Sequence, residues 1–327
     1  MYAKRNYSFW MTFNWSRKPF LIGLVYSVVV IALLHILELK FTIPWQPVGV
    51  IGIAVAFYLG FKNNSSYDRT WEARKIYGGI VNDSRSLGAA VIAFIQGEKD
   101  KAVKKELIYR HIAWLTALRH QLRLGRTWEH SENRLNGLYA PTICEDYEKK
   151  LHKELKNYLT EQEIDEVNKK SNRATQILKC QSVRFQELKD QGYFDDFRHM
   201  EFHNLITNLY AGQGKAERIK NFPFPRQYAS TALWLTFVFC ALVPFGLYGL
   251  FKGNIWSESI CAVMSAIIVW IYFLMEKIGD YSENPFEGTY NDVPITSISI
   301  GIEIDLREMI DDQNIPKPVE ASNGFLM

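Results

Sequence analysis

Cysteine is scarce and never paired. Cys144, Cys180, Cys240 and Cys261 stand far apart, with neither a CxxC nor a zinc spacing among them. They read as reduced, structural thiols rather than a disulfide framework. Excess charge of one sign is missing too. The 38 Lys and Arg against 35 Asp and Glu leave a formal net charge of +3, too small to argue for a nucleic acid partner. No Ser-His-Asp or Cys-His arrangement stands out, and nothing marks an enzyme. The stretch AGQGKAER (211–218) lacks the first Gly of a phosphate-binding loop, has Ala216 where Ser or Thr would hold magnesium, and follows no strand. His199 and His203 lie four apart beside Asp195, Asp196 and Glu201. Without HExxH, such a pair is more often polar helix surface than a metal site. No metal and no cofactor are expected. A cleavable leader is not expected either, because the first apolar run is too long and has no small-residue cleavage site.

What is present is apolar sequence gathered into blocks. A mean hydropathy of −0.13 with 48% hydrophobic residues conceals four stretches long enough to cross a bilayer, which takes about 20 helical residues. They run from Pro19 to Leu37, between Lys40 and Lys62, between Arg226 and Lys252, and between Glu258 and Glu276. Short connections at 38–47 and 251–258 make them two hairpins. Nine Trp and seventeen Tyr suit rings at a membrane interface. Lys4, Arg5, Arg17 and Lys18 precede the first span, and Lys62, Arg69, Arg74 and Lys75 follow the second. The opposite side has little beyond Lys40 and Lys252. The positive-inside rule then sets both termini and the middle of the chain in the cytoplasm.

The expected organisation is an all-α membrane protein in four parts: 1–77 with the first hairpin, a helical cytosolic region at 78–225, the second hairpin at 226–278, and a cytosolic tail at 279–327. Within the middle, 108–124, 149–170, 176–190 and 200–212 carry helical periods. Pro223 and Pro225 close that region. In the tail, SENPFEGTYNDVP has turn chemistry, 297–310 predicts a short amphipathic helix, and PKPVEASNGFLM reads as disordered.

The second span, VGVIGIAVAFYLGFKNNSSYDR, passes from glycine-rich apolar sequence straight into Asn-Asn-Ser-Ser. Residues four apart stack on a helix, giving a large line, Ile53, Phe57 and Phe61, beside a small one, Gly52, Ala56 and Gly60. Small lines admit close backbone approach in membranes. Around a symmetry axis the large line becomes stacked apolar rings that gate by dewetting, with Asn64 continuing into water. Alternatively, the large residues face lipid. Periodicity alone leaves both open.

Three stretches resemble the bestrophin family, its prokaryotic branch in particular. They are LGFKNNSSYDRTWEARKIYGGIVNDSRSL (59–87), AERIKNFPFPRQY (216–228) and ENPFEGTYNDVP (283–294), in the family's order and topological positions. The resemblance implies a homopentameric ion channel with one central pore and a neck at Ile53, Phe57 and Phe61. It implies a second constriction near Phe197, where the family usually has a smaller aliphatic residue. It also implies that small anions such as chloride permeate. The dense acidic run that binds calcium in animal members is replaced by scattered Asp305, Glu308, Asp311 and Asp312, so calcium activation is not expected. Asp195 and Asp196 beside Phe197 pull the other way on selectivity, because an acidic ring favours monovalent cations such as sodium. Expected partners are the lipid bilayer, permeant ions and further copies of the chain. A secondary transporter would show internal repeats and intramembrane charge. Here the hairpins differ, and His35 is the only such group apart from Tyr and Cys. A membrane-anchored scaffold would leave the paired large and small lines without a purpose.

Overall fold

The computed structural model describes residues 1–37, 43–97, 100–130 and 147–327. Lys40, Cys144 and part of the 38–47 connection lie outside them. Ten helices are described: α1 (Phe9–Ile36), α2 (Trp45–Phe94), α3 (Asp100–Arg123), α4 (Tyr147–Leu155), α5 (Glu161–Asn168), α6 (Arg173–Asp190), α7 (Asp196–Asn221), α8 (Arg226–Phe251), α9 (Ile255–Asp280) and α10 (Ile295–Met309). No strand occurs among the described residues, only isolated bridges that join Tyr2 and Ser322 to Phe325.

Four helices, α1, α2, α8 and α9, are long and apolar enough to span a membrane. Caps fix where several helices start. The Ser8 and Asn254 side chains accept from backbone N–H groups of the first turns of α1 and α9, and Asn172 and Asp195 do the same for α6 and α7. The expected 149–170 helix is two helices. Leu155 ends α4, and a capping box between Thr160 and Glu163 restarts the chain as α5.

Helix α2 has 50 residues, about 75 Å at helical rise. It runs unbroken through residues 77 and 78, so the two polar Asn and two Ser after Phe61 continue the membrane helix outward. Its two halves sit in separate cores. The membrane half packs Val48, Val55 and Leu59 with Phe239, Val243 and Val269. The other half packs Ile80, Leu87 and Val91 with Leu107, Trp114, Phe185, Phe202 and Leu209. Inside that second core Trp114 Nε1 donates to Gln213 Oε1 at 2.9 Å, and Gln181 Nε2 donates to the Leu107 carbonyl at 3.0 Å. These bonds satisfy polar atoms that burial would otherwise penalise.

The tail corrects one expectation. PKPVEASNGFLM is not disordered. Phe325 is buried among Tyr281, Tyr290 and Tyr2. The Met1 ammonium donates to the Leu326 carbonyl, and Ala3 N–H donates to the Gly324 carbonyl. Ser297 N–H donates to the Met327 carbonyl. The polar composition is offset by one aromatic anchor and by backbone pairing with the other end of the chain. Both ends therefore lie beside the segment that follows α9.

Candidate functional site

The membrane half of α2 buries Val48, Gly52, Val55, Leu59, Lys62 and Ser66, a stripe at alternating spacings of three and four. At about 100° per residue, the line Ile53–Phe57–Phe61 is centred on the opposite side of the helix. There Ile53 is 73% exposed, Phe57 68% and Phe61 51%. The Phe57 and Phe61 rings meet edge to face at 4.7 Å, so the line is a continuous apolar strip. Asn64 follows, also exposed.

The small line behaves differently. Gly52 is buried, Ala56 half-buried and Gly60 exposed. Four residues turn a helix by about 400°, so each step drifts about 40°, and two steps carry the line out of the packed face. Gly52 meets its own protomer. A Cβ there would lie 2.6 Å from the Phe239 ring, and the Gly52 carbonyl accepts from Tyr272 Oη at 2.9 Å. A Cβ on Gly60 would meet nothing. Gly52→Leu is therefore expected to lower thermal stability through overpacking, by about 1–3 kcal/mol or more. Gly60→Leu should leave the protomer's fold intact. Thermal unfolding in detergent tests this, and equal losses from both would contradict it.

At the start of α7, Phe197 is 89% exposed. The Asp195 carboxylate accepts from Arg198 N–H at 2.9 Å as the helix cap, and Arg198 Nε lies 3.8 Å from it. Asp196 pairs with Lys189 at 2.7 Å. Each acidic group thus has a basic neighbour. His199 is half-buried and stacked on Phe194, while His203 is exposed. Of the tail carboxylates, Asp305 pairs with Arg85 at 2.7 Å and Asp312 with Arg307 at 3.0 Å.

Buried charge is what the sequence reading missed. Lys62 and Arg69 count there simply as basic residues after a span. In the fold Lys62 is 1% exposed and pairs with Glu276 of α9 at 3.0 Å. Arg69 donates to the carbonyls of Glu283 at 2.9 Å and Phe222 at 2.7 Å. The signal for Lys62 was available, since it continues the buried spacing 52, 55, 59, 62, 66. The partner was not, because Glu276 is far away in the chain.

The loop 281–294 is tied down by Asp292. Its carboxylate accepts from the backbone N–H groups of Phe286, Gly288 and Val293 at 2.6–2.8 Å and from Arg123 at 2.5 Å. Phe286 has φ 71°, a left-handed conformation that this capping holds in place. Nearby, buried Lys220 pairs with Glu129, and Glu283 pairs with Arg226 at 2.8 Å. The ENPF…NDVP and ERI…P.P stretches thus meet α2 and α3 in one buried polar layer at the end of the membrane helices.

His130 belongs to this layer. Its Nδ1 lies 2.8 Å from Glu287 and its Nε2 3.3 Å from Asp280, and its ring stacks on Tyr281. Burial alone would lower its pKa, but the hydrogen bonds and charges of Asp280 and Glu287 together raise it to about 9. The folded value exceeds the unfolded one, so the stabilisation is complete below about pH 6.5 and fades as pH rises toward 9. It amounts to roughly 3 kcal/mol. His130→Gln should flatten the loss of thermal stability between those pH values. An unchanged alkaline slope in this variant would rule the pairing out as its source.

The geometry of the described residues defines a four-span, helical membrane protein with an exposed apolar strip on α2 that none of them covers. The model of the bacterial and fungal bestrophin protein family matches residues 17–308, and the chain belongs to that family. Among curated relatives, a voltage-dependent anion channel-forming protein of Ralstonia nicotianae is 27% identical, covering 94% of this chain and 90% of its own. The voltage-dependent anion channel-forming protein YneE of Escherichia coli K12 is 26% identical, covering 91% and 88%. A bacterial bestrophin homologue from Klebsiella pneumoniae shares the fold with a TM-score of 0.76 at 23% identity, over 90% of this chain and 98% of that one. Family membership sets the chain among channels rather than enzymes.

Proposed function

We propose that five copies of this chain surround one axis and passively conduct small monovalent anions, chloride among them, through a neck lined by Ile53, Phe57 and Phe61. The observation that carries the proposal is that strip. It is long, apolar and continuous, and the opposite face of the same helix is fully packed inside the protomer. Exposed to lipid alone it would need no polar continuation, yet exposed Asn64 extends it. The anion preference draws on the names of the relatives and on the positive edges of phenyl rings, which favour a partly dehydrated anion. In this reading the membrane is the bacterial inner membrane, with the 78–225 region and both termini in the cytoplasm, and Phe197 lines a second constriction.

One observation favours a monovalent-cation channel instead. Asp195 and Asp196 are both exposed beside Phe197, and fivefold repetition would make an acidic ring. Lys189 and Arg198 beside them weaken that field, and the anion reading stands first. Reversal potentials of purified protein in planar bilayers under a salt gradient test the sign. The expected value lies near the chloride potential and stays there in the double variant Asp195→Asn/Asp196→Asn. A cation-side potential that collapses in that variant would establish the acidic ring.

A further inference from the structure

Two smooth apolar helices in a membrane discriminate poorly between rotations of one against the other, because lipid and side chain offer similar contacts. Yet α2 presents one particular line away from the bundle. Helix α9 supplies what selects it. Tyr272, Glu276 and Gly279 lie on one stripe of α9, spaced four and three apart, and all three engage α2. Tyr272 Oη donates to the Gly52 carbonyl at 2.9 Å. Glu276 takes the Lys62 ammonium at 3.0 Å. Gly279 offers no side chain, and Asn63 Oδ1 occupies the space its Cβ would fill. Of these contacts the ion pair is the most selective. Turning α2 by one residue, about 100°, would pull the ammonium from its carboxylate and leave two buried charges apart. A buried ion pair adds little stability over an apolar isostere, but separating its partners costs heavily, and fixing register is its best-attested use. Lys62 also directly follows Phe61, so the constraint acts at the lower end of the exposed line.

We propose that Lys62 and Glu276 are positioning residues that set the rotation of α2 and thereby decide which side chains face the conduction path. This rests on the reading of Ile53, Phe57 and Phe61 as the neck. The ion pair itself touches no permeant ion. Its effect is to hold the Ile-Phe-Phe line toward the axis and Val55 and Leu59 toward the bundle.

The test uses the full-length channel in planar bilayers with single Cys substitutions at 53, 57, 61, 55 and 59, challenged with a charged methanethiosulfonate. The chain without added Cys serves as the control for its native thiols. In an otherwise wild-type chain, Cys at 53, 57 and 61 should be modified with a change in current, and Cys at 55 and 59 should not. In a Lys62→Met background the distinction should blur. Modification at 57 and 61 slows about tenfold, equivalent to about 1.4 kcal/mol, and protection at 55 and 59 is lost. The reversed pair Lys62→Glu/Glu276→Lys should restore the wild-type pattern, which a merely structural charge would not do. If Lys62→Met does not assemble, the reversed pair decides alone: restoration supports the proposal, and its absence overturns it. An unchanged pattern in assembled Lys62→Met overturns the positioning role while leaving the neck standing. No modification at 53, 57 and 61 in the wild-type background removes the neck reading and this proposal with it.

Discussion

Cutting Ile53, Phe57 and Phe61 together to Ala is expected to raise conductance or open probability severalfold while the oligomer survives intact. The three side chains point out of the protomer, and the one ring contact among them is Phe57 with Phe61. Truncation therefore opens no cavity in the packed bundle, and Ala is the best helix former. In the proposed fivefold arrangement, what disappears is the apolar surface turned toward the axis, and with it the tendency of a narrow apolar passage to empty of water. Single-channel recording beside size-exclusion chromatography separates the two effects. Unchanged currents from a correctly sized triple variant would move the pore away from this line.

The largest expected loss of stability lies at Asp292. Replacing it by Ala takes the carboxylate away from fully buried Arg123, a change that costs about 3–5 kcal/mol for a buried pair. The N–H groups of Phe286, Gly288 and Val293 lose their acceptor at the same time, at about 1–3 kcal/mol for each one left unsatisfied. Against a typical folding margin of about 5–15 kcal/mol, Asp292→Ala should yield little folded protein. Asp292→Asn keeps an acceptor oxygen and should be intermediate. Folded yield and unfolding temperature in detergent measure this. A wild-type profile for the Ala variant would show that the 281–294 loop does not depend on its capping.

These two sites differ in how far the sequence revealed them. That Ile53, Phe57 and Phe61 share one exposed helix face was legible, because a helix repeats locally and four-residue spacing suffices to line them up. The same geometry splits the small line: a drift of about 40° per four residues accumulates, so the line starts buried against its own protomer at Gly52 and ends on the protomer's surface at Gly60. The four spans and the helical middle were likewise written in local pattern. The polar layer was not. Nothing near Lys62 announces Glu276, and nothing near Asp292 announces Arg123. The family motifs mark the loop without stating that its acidic residue serves the backbone. The tail was misread for the same reason, since the rings that Phe325 packs on include Tyr2, at the opposite end of the chain.

The unbroken length of α2 has a mechanical meaning. From Phe61 to Phe94 the helix extends about 50 Å, and the hydrogen-bond ladder between those two residues has no proline at which to bend. It is a stiff lever that crosses two cores, with the Lys62–Glu276 contact close to where one core gives way to the other. A tilt of about 3° about that point displaces the far end by about 2–3 Å, enough to disturb the close packing of Leu87 and Val91. The side chains of Ile53, Phe57 and Phe61 stand outside the packed bundle, while the backbone that carries them is part of one continuous helix. A movement of α2 as a rigid body at Phe57 would carry Phe94 with it, because one continuous helix joins them.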